Sequence, residues 1–257
     1  MKRISIRTKF ALFIVTLTLI LASGVGIALQ TRKTIQDTAF TFDDVKKMKV
    51  RYFDNDLPSE EMHPYDPAEP MDTDAGNFYL NNNGISVNDV YDRSDLIVKV
   101  QATDDRSFLF SCILTKVTVL DVFKGNQSLK SSDIYVYEWA QIDATNFLLP
   151  NGTYNIMNTG DAYYLFLNRM PMPQGYNYSP KEMKTYLLAN VYMGKYNVEV
   201  CDDMKVLPQV SEINELPDYS AVKEWDILPV RDTQLETYLD NREAALLLLG
   251  IEDDSKN

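Results

Sequence analysis

The chain has 257 residues, of which 45% are hydrophobic and 11% aromatic, and its net charge is −12. This composition excludes a disordered chain and supplies enough apolar side chains for a folded core. The acidic balance also excludes nucleic acid as an expected partner, because its phosphates repel a negatively charged surface.

The first 29 residues indicate a signal or anchor segment. Four basic residues and no acid stand in this leader, and an apolar run occupies residues 10–29. A helix of 20 residues spans about 30 Å, the thickness of a bilayer core, and the basic flank favours a cytoplasmic N-terminus. The length favours an uncleaved transmembrane helix, with the bulk of the chain extracytoplasmic. Cleavage and secretion remain the alternative, because small residues at 22–24 and 26–28 fit a signal-peptidase site.

Residues 30–85 read as a juxtamembrane segment followed by an acidic, proline-rich linker. The stretch 54–76 contains eight acids, four prolines and neither Lys nor Arg. Like charges oppose compaction and proline interrupts regular structure, so a solvated linker is expected here. His63, the one histidine, lies in this linker.

A folded domain is predicted over residues 86–200. Ser86 and Asp89 predict a capped helix from Val87 to Arg93. Runs of β-branched and aromatic residues between turn signals predict short strands. Their predicted bounds are 96–100, 108–123, 134–139 and 162–167, and a hairpin is predicted from 185–191 and 196–200 around Met193-Gly194-Lys195.

The C-terminal extension, residues 201–257, is predicted to contain a helix at about 233–249. Its expected start is a capping box at Thr233 and Glu236, and its expected stop is Gly250. Leucines fall on one helical stripe that should pack on the barrel, and they are Leu235, Leu239, Leu246 and Leu249.

Three motifs occur in the order seen in a group of bacterial secreted domains. They are SVNDVYDRSDLIV at 86–98, VLDVFKGN at 119–126 and GDAYYLFL at 160–167. Residues 86–200 therefore resemble the netrin module and the tissue inhibitors of metalloproteinases. The resemblance implies a mainly β fold, an OB-like antiparallel β-barrel with a short helix before the first strand and a C-terminal helix.

The inhibitory mechanism of that family does not carry over. It depends on a cysteine at the mature N-terminus that chelates the zinc of the target, and no cysteine precedes Cys112 in this chain. The two cysteines, Cys112 and Cys201, are disulfide candidates, with two buried free thiols as the alternative.

The sequence favours a non-enzymatic role and predicts no metal site and no cofactor. No phosphate loop, dinucleotide fingerprint or zinc-protease motif occurs. The candidate ligand-binding residues are Tyr135, Tyr137 and Trp139, whose spacing of two puts them on one face of a strand, with Ile134 and Val136 on the other. Aromatic rings in such a row can stack on sugar rings, and the alternative is that the C-terminal region covers them.

Two functions follow as hypotheses. The first is a membrane-tethered extracytoplasmic binding domain, held in the cell membrane by residues 10–29, whose partner is an unknown extracellular protein or glycan. The second is a carboxylate-dependent hydrolase of cell-surface glycans, because carboxylate pairs form in space and leave no short motif.

Overall fold

The computed structural model divides the chain into two compact units, residues 1–39 and 40–257. In the first unit it describes only Val15, Thr16 and Thr18, which are helical. In the second it describes residues 40–52, 84–109, 112–143, 145–150, 152–172, 175, 177–208, 210 and 212–251. The rest of the leader and the whole 54–76 linker with His63 lie outside the described residues. Within the described ranges, no helix has both the length and the apolar character needed to cross a membrane.

The second unit is mainly β. Its described part contains nine strands: β1 (Lys49–Val50), β2 (Leu96–Phe108), β3 (Ile113–Lys124), β4 (Asp133–Glu138), β5 (Ala140–Ile142), β6 (Phe147–Pro150), β7 (Ala162–Arg169), β8 (Thr185–Leu188) and β9 (Lys195–Asn197).

Helices fill the connections and the C-terminal part. The described α-helices are α1 (Phe42–Val45), α2 (Val87–Arg93), α3 (Tyr219–Val222) and α4 (Asp232–Leu248). Short 3-10 helices occur at Gln127–Leu129, Glu182–Lys184 and Ile213–Glu215.

Five strands close into a β-barrel. The strand order is β2-β3-β4-β8-β7, and β7 pairs again with β2 to complete the ring. Four of the five pairings are antiparallel, and β4 pairs with β8 in parallel. The expectation of a fully antiparallel barrel is therefore wrong for one pair, because strand directions cannot alternate around a closed ring with an odd number of strands.

The predicted hairpin over residues 185–200 is also wrong. Strands β8 and β9 do not pair with each other, and both lie along the same edge of β7. Phe166 on β7 accepts a backbone hydrogen bond from Ala189 and donates one to Gly194, so the residues between form an excursion from one interrupted strand. The Asn190 side chain holds this excursion by accepting from the backbone N–H groups of Tyr192 and Met193.

Both the inner and the outer face of the barrel are buried in part. This explains why its strands contain apolar residues at successive positions instead of alternating with polar ones. Successive side chains of a strand point to opposite faces. Leu96, Val98 and Leu165 belong to the main core, whereas Ile97 and Phe166 belong to a second cluster outside the barrel. Side chains of α2 and α4 complete this second cluster, so both helices pack on the outside of the barrel.

The capped helix before the first strand is confirmed. Helix α2 begins after Ser86, whose hydroxyl accepts from Asp89 N at 3.3 Å, and the Asp89 carboxylate accepts from Ser86 N at 2.8 Å. Strand β2, by contrast, runs eight residues beyond the predicted end at residue 100. Its polar end pairs with the start of β3, and Phe108 belongs to β2 instead of the next strand.

The C-terminal helix is confirmed with a corrected start and a corrected buried face. Gln234, and not Glu236, supplies the returning side chain, and its Oε1 accepts from the backbone N–H groups of Val230 and Arg231. Gly250 ends the helix at φ +69°, as predicted. Leu239 is 42% exposed, because the buried face is centred on Tyr238, Arg242 and Ala245.

Residues before and after the barrel share its core. Val45 and Val50 are fully buried in the main cluster together with Tyr219 and Leu228 from the C-terminal part. Strand β1 pairs in parallel with β6, and β6 pairs with β5 in a separate three-stranded sheet. The compact unit therefore begins before residue 86 and extends beyond residue 200.

Candidate functional site

The predicted aromatic row lies on the outer face of the barrel for two of its three members. Ile134 and Val136 are completely buried in the main core, so Tyr135 and Tyr137 point away from it. Both tyrosines are partly exposed. The alternation that sequence spacing predicts therefore holds along β4.

The surroundings of the two tyrosines come from the barrel and from the connection between β7 and β8. Tyr135 lies between Lys116 of β3 and Thr185 of β8, and the Lys181 ammonium stands 4.6 Å from its ring centroid. Partial burial raises the pKa of the Tyr137 hydroxyl, with smaller contributions from Cys112 and Glu182. One predicted alternative was that the C-terminal region covers these aromatic side chains. The C-terminal helix α4 packs instead on α2 and the second cluster.

Trp139 has different surroundings from the two tyrosines. It lies in the bend between β4 and β5, it is partly exposed as they are, and its side chain packs against the main core. The structure thus brings together Tyr135 and Tyr137 but places Trp139 in a different environment.

The same alternation directs a carboxylate into the barrel. Glu138 follows Ile134 and Val136 on the inner face of β4, and its side chain has no exposed area. The guanidinium of Arg106, 1% exposed, forms an ion pair with it at 3.0 Å. Sequence reasoning assigned no role to Glu138, although the spacing of two that grouped the tyrosines also predicts its inward direction.

Both oxygens of Glu138 are occupied. Oε1 accepts from Arg106 and from the Thr115 hydroxyl, and Oε2 accepts from the Tyr154 hydroxyl at 3.0 Å and from Met157 N at 2.6 Å. A carboxylate enclosed in this way cannot reach a substrate. Its effect is to join β2, β3 and β4 to the segment around residues 154–157.

A second buried charge centre lies between the barrel and the C-terminal part. The Lys195 ammonium of β9 stands 5.1 Å and 5.2 Å from the ring centroids of Tyr154 and Tyr163, and it donates to the main-chain oxygen of Asp226 at 3.1 Å. Burial lowers the pKa of Lys195 to about 8, against the opposing attraction of Asp226. Burial likewise raises the pKa of the Asp226 carboxyl to about 6.

This second centre leaves polar atoms without partners. Asp226 Oδ2 accepts from the Tyr238 hydroxyl at 3.3 Å, whereas Asp226 Oδ1 has no hydrogen-bond partner among the described residues. Asn197 Oδ1 and the Tyr196 hydroxyl are buried without a described partner as well. Buried polar groups in native structures are usually satisfied. Arg106 Nε of the first centre also lacks a described partner, so the two centres differ in the bonding of their carboxylates and not in the presence of unpartnered atoms.

A pocket of about 400 Å³, here called the acidic pocket, opens beside the second centre. Asp161, Glu199 and Glu224 line it, together with Asn197 and Cys201. Burial raises the pKa of the Asp161 carboxyl, and Glu224 and Glu199 raise it further through their negative charge. No signal in the sequence joins these residues, because they come from three separate segments.

The two cysteines are free thiols in the structure, so the proposed disulfide is not formed. Cys112 lies near Tyr137 at the start of β3. Cys201 lies beside Asp203, Asp226 and Glu224, and burial raises the pKa of its thiol. The two thiols therefore have different neighbours, which the sequence separation could not reveal.

Within the described ranges, no group of three or more His, Cys, Asp or Glu side chains is arranged to hold a metal ion. No protein-family model matches the chain. No curated protein matches it either.

Proposed function

We propose that the chain is a binding domain, tethered to the cell membrane by residues 10–29 and exposed on the extracytoplasmic side. The observation that carries the proposal is the pair of partly exposed tyrosines, Tyr135 and Tyr137, on the outer face of β4. Their rings offer flat apolar surface with a polar end, and the neighbouring Lys116 and Lys181 add hydrogen-bond donors. Sugar rings of a cell-surface glycan are the ligand surface that this combination suits best.

The strand order supports a resemblance to OB-type barrels and, through the three motifs, to the netrin and metalloproteinase-inhibitor group. Barrels of the OB type use the face of their second and third strands and the adjoining loops for ligands. The second and third barrel strands of this chain are β3 and β4, and the connection that carries Lys181 adjoins them. A fold-level analogy of this kind indicates a face and no particular ligand.

Calorimetric titration of the full chain in detergent micelles with a tetramer of N-acetylglucosamine tests the binding face. We expect Tyr135→Ala and Tyr137→Ala each to weaken binding about tenfold, the loss typical of one stacked aromatic contact. Tyr91→Ala on α2 is the matched control, since Tyr91 is also a partly exposed tyrosine. The absence of binding, or an equal loss in the control, contradicts this face.

The membrane tether has its own test. Protease added to intact cells should remove the bulk of the chain, because the basic flank before residues 10–29 favours an extracytoplasmic C-terminus. Full protection in intact cells, with digestion after lysis, contradicts the proposed orientation.

One observation favours the alternative proposal, a carboxylate-dependent hydrolase of cell-surface glycans. Glycoside hydrolysis requires a carboxyl group of raised pKa near a second carboxylate, and Asp161 has a raised pKa beside Glu199 and Glu224. Chromatography of the same oligosaccharide after incubation tests this proposal. Shorter products from the wild type and none from Asp161→Asn would support it, and an intact oligosaccharide throughout contradicts it.

A further inference from the structure

The segment at residues 40–52, here called the strap, is inserted between two distant parts of the compact unit. On one edge its strand β1 pairs in parallel with β6, and Arg51 N donates to the main-chain oxygen of Leu148 at 2.9 Å. On the other edge, Val50 N donates to the main-chain oxygen of Pro217 at 2.9 Å. The strap backbone is therefore bonded on both edges to elements that lie far along the chain.

The strap also buries its apolar side chains in the main core. Val45 and Val50 have no exposed area, and Met48 is buried with them. Phe40 and Phe42 pack against the same core and are partly buried. Such side chains favour binding because their apolar surface is removed from water. The strap therefore has the side-chain contacts of a peptide that binds a hydrophobic groove.

Two cations of the strap form ion pairs with acids of the rest of the unit. Lys49 Nζ lies 3.4 Å from the Asp218 carboxylate, and Arg51 Nη1 lies 3.3 Å from the Asp143 carboxylate. The Arg51 guanidinium also stands 4.4 Å from the ring centroid of Phe147. Partly exposed pairs contribute little to affinity, but complementary pairs on both edges favour one register of the strap.

The Phe42 ring contacts the buried ion pair of the barrel. The Arg106 guanidinium, which pairs with Glu138, stands 4.2 Å from the ring centroid of Phe42. Contacts of this cation–π kind are stronger where the cation is removed from water, and the Arg106 side chain is 1% exposed. The strap therefore contacts the inside of the barrel as well as β6 and residues 217–220.

We propose that the strap is a docked peptide, which remains bound to the rest of the compact unit when the connection at residues 53–83 is cut. Addition of a strand to a sheet is a common mode of peptide binding, because main-chain bonds and side-chain pockets both contribute. The strap has main-chain bonds on both edges and apolar side chains in the core. Its contacts with the rest of the unit therefore do not require the connection that follows it.

Docking of the strap changes the result of proteolysis in the linker. The sequence predicts a solvated linker at residues 54–76, and exposed polar stretches are preferred sites of cleavage. A cut there leaves the leader and the strap on one fragment and the barrel on the other. With residues 10–29 in the membrane, the docked strap keeps the barrel at the membrane after the cut. This consequence rests on the proposed function, whereas the docking does not.

Cleavage of the purified full chain in detergent micelles tests the docking. A recognition sequence for a site-specific protease is inserted between Pro67 and Ala68, and an affinity tag follows Asn257. After complete cleavage, we expect the fragment with the leader and the strap to be recovered on the affinity resin with the tagged barrel fragment. Loss of the leader fragment from the resin overturns the proposal. Protection of the chain from protease in intact cells would instead contradict the membrane orientation and not the docking.

Variants of the strap test whether its own contacts hold the fragments together. Phe42→Ala should release the leader fragment from the resin about tenfold faster, since it loses the aromatic contact with Arg106. Val50→Asp should abolish recovery, because it places an unpaired charge in the core. Lys47→Ala is the matched control, since Lys47 is exposed on the same segment, and it should leave the release rate unchanged. Equal release rates in Phe42→Ala and Lys47→Ala, or full recovery with Val50→Asp, overturn the proposal.

Discussion

Two buried charge centres of this molecule contrast in how fully their carboxylates are bonded. Inside the barrel, the Glu138 carboxylate accepts four hydrogen bonds and pairs directly with Arg106. Beside the acidic pocket, Lys195 and Asp226 are buried with fewer bonds, and Asp226 Oδ1 has no partner in the described part of the chain. The first arrangement stabilises one fold, and the second leaves polar groups whose protonation responds to their surroundings.

Tyr154 contacts both centres, each through a different part of its side chain. Its hydroxyl donates to Glu138, and its ring faces the Lys195 ammonium at 5.1 Å. Glu138 and Asp226 both attract Lys195 electrostatically and oppose the loss of its proton. Substitutions at these residues can therefore test whether the centres differ as their bonding indicates.

Glu138→Gln should have the largest effect on stability. The change leaves the Arg106 guanidinium buried without its carboxylate, and breaking a buried pair in this way costs about 3–5 kcal/mol. Denaturant unfolding monitored by circular dichroism measures the free energy of unfolding. Glu236→Gln on the exposed face of α4 is the control and should change it by less than about 0.5 kcal/mol. Equal values for the two variants would show that the inner pair is not a stabilising centre.

The pH dependence of stability should identify the second centre. The pKa of Asp226 rises on folding from 3.8 to about 6, so the folded state binds this proton more tightly than the unfolded state does. The resulting stabilisation is fully present below pH 3.8 and is lost as the pH rises through 6. The pKa of Lys195 falls on folding from 10.5 to about 8, so the folded state releases this proton more readily than the unfolded state does. The resulting stabilisation is present above pH 10.5 and is lost as the pH falls through 8. Each contribution amounts to roughly 3 kcal/mol, at 1.36 kcal/mol for each pKa unit.

Asp226→Asn should therefore flatten the unfolding free energy between pH 3.8 and 6, and Lys195→Met should flatten it between pH 8 and 10.5. Urea unfolding at a series of pH values measures both windows. Curves for the two variants that run parallel to the wild type in these windows contradict the assignment.

Tyr154→Phe should have a smaller effect that separates the two centres. The variant removes the hydroxyl that donates to Glu138 and keeps the ring next to Lys195. Loss of one donor to a buried carboxylate costs about 1–3 kcal/mol. The pH 8–10.5 window should remain, because the ring is unchanged. A stability curve that loses this window instead would mean that the hydroxyl, and not the ring, sets the environment of Lys195.

Lys130→Ala should have the smallest effect. The Lys130–Asp121 pair has a bond of 2.8 Å, shorter than the inner Arg106–Glu138 contact, yet both of its side chains are about half exposed. Water and salt screen such pairs, so the denaturation midpoint should remain within error of the wild type. A clear loss of stability in Lys130→Ala would show that the length of an ion pair affects stability more than its burial does in this fold.

Local patterns predicted the parts of this fold that local chemistry determines. The Ser86–Asp89 cap fixed the start of α2, Gly250 fixed the end of α4, and alternation along β4 gave the directions of Ile134 and Tyr135. The same alternation along β4 also predicts that Glu138 points inward. This position was missed because a glutamate is ordinarily solvent-exposed.

Pairing between strands distant in the sequence could not be predicted from local patterns. Met193-Gly194-Lys195 reads as a hairpin turn, whereas Gly194 and Lys195 return the chain to β7 after an excursion. Lys195 therefore lies in the core and not at a surface turn. The acidic pocket was missed for the same reason, because only the tertiary fold joins Asp161, Glu199 and Glu224.

A carbon-detected NMR titration of Lys195 Cε and Asp226 Cγ tests most directly whether the second centre differs from the first. The structure predicts midpoints at about pH 8 for Lys195 and about pH 6 for Asp226, both set mainly by burial. Asp226→Asn should move the Lys195 midpoint lower still, because the carboxylate favours the charged ammonium. Wild-type midpoints near the ordinary values of 10.5 for Lys195 and 3.8 for Asp226, with the Lys195 midpoint unchanged in Asp226→Asn, would contradict a buried, under-bonded centre beside the acidic pocket.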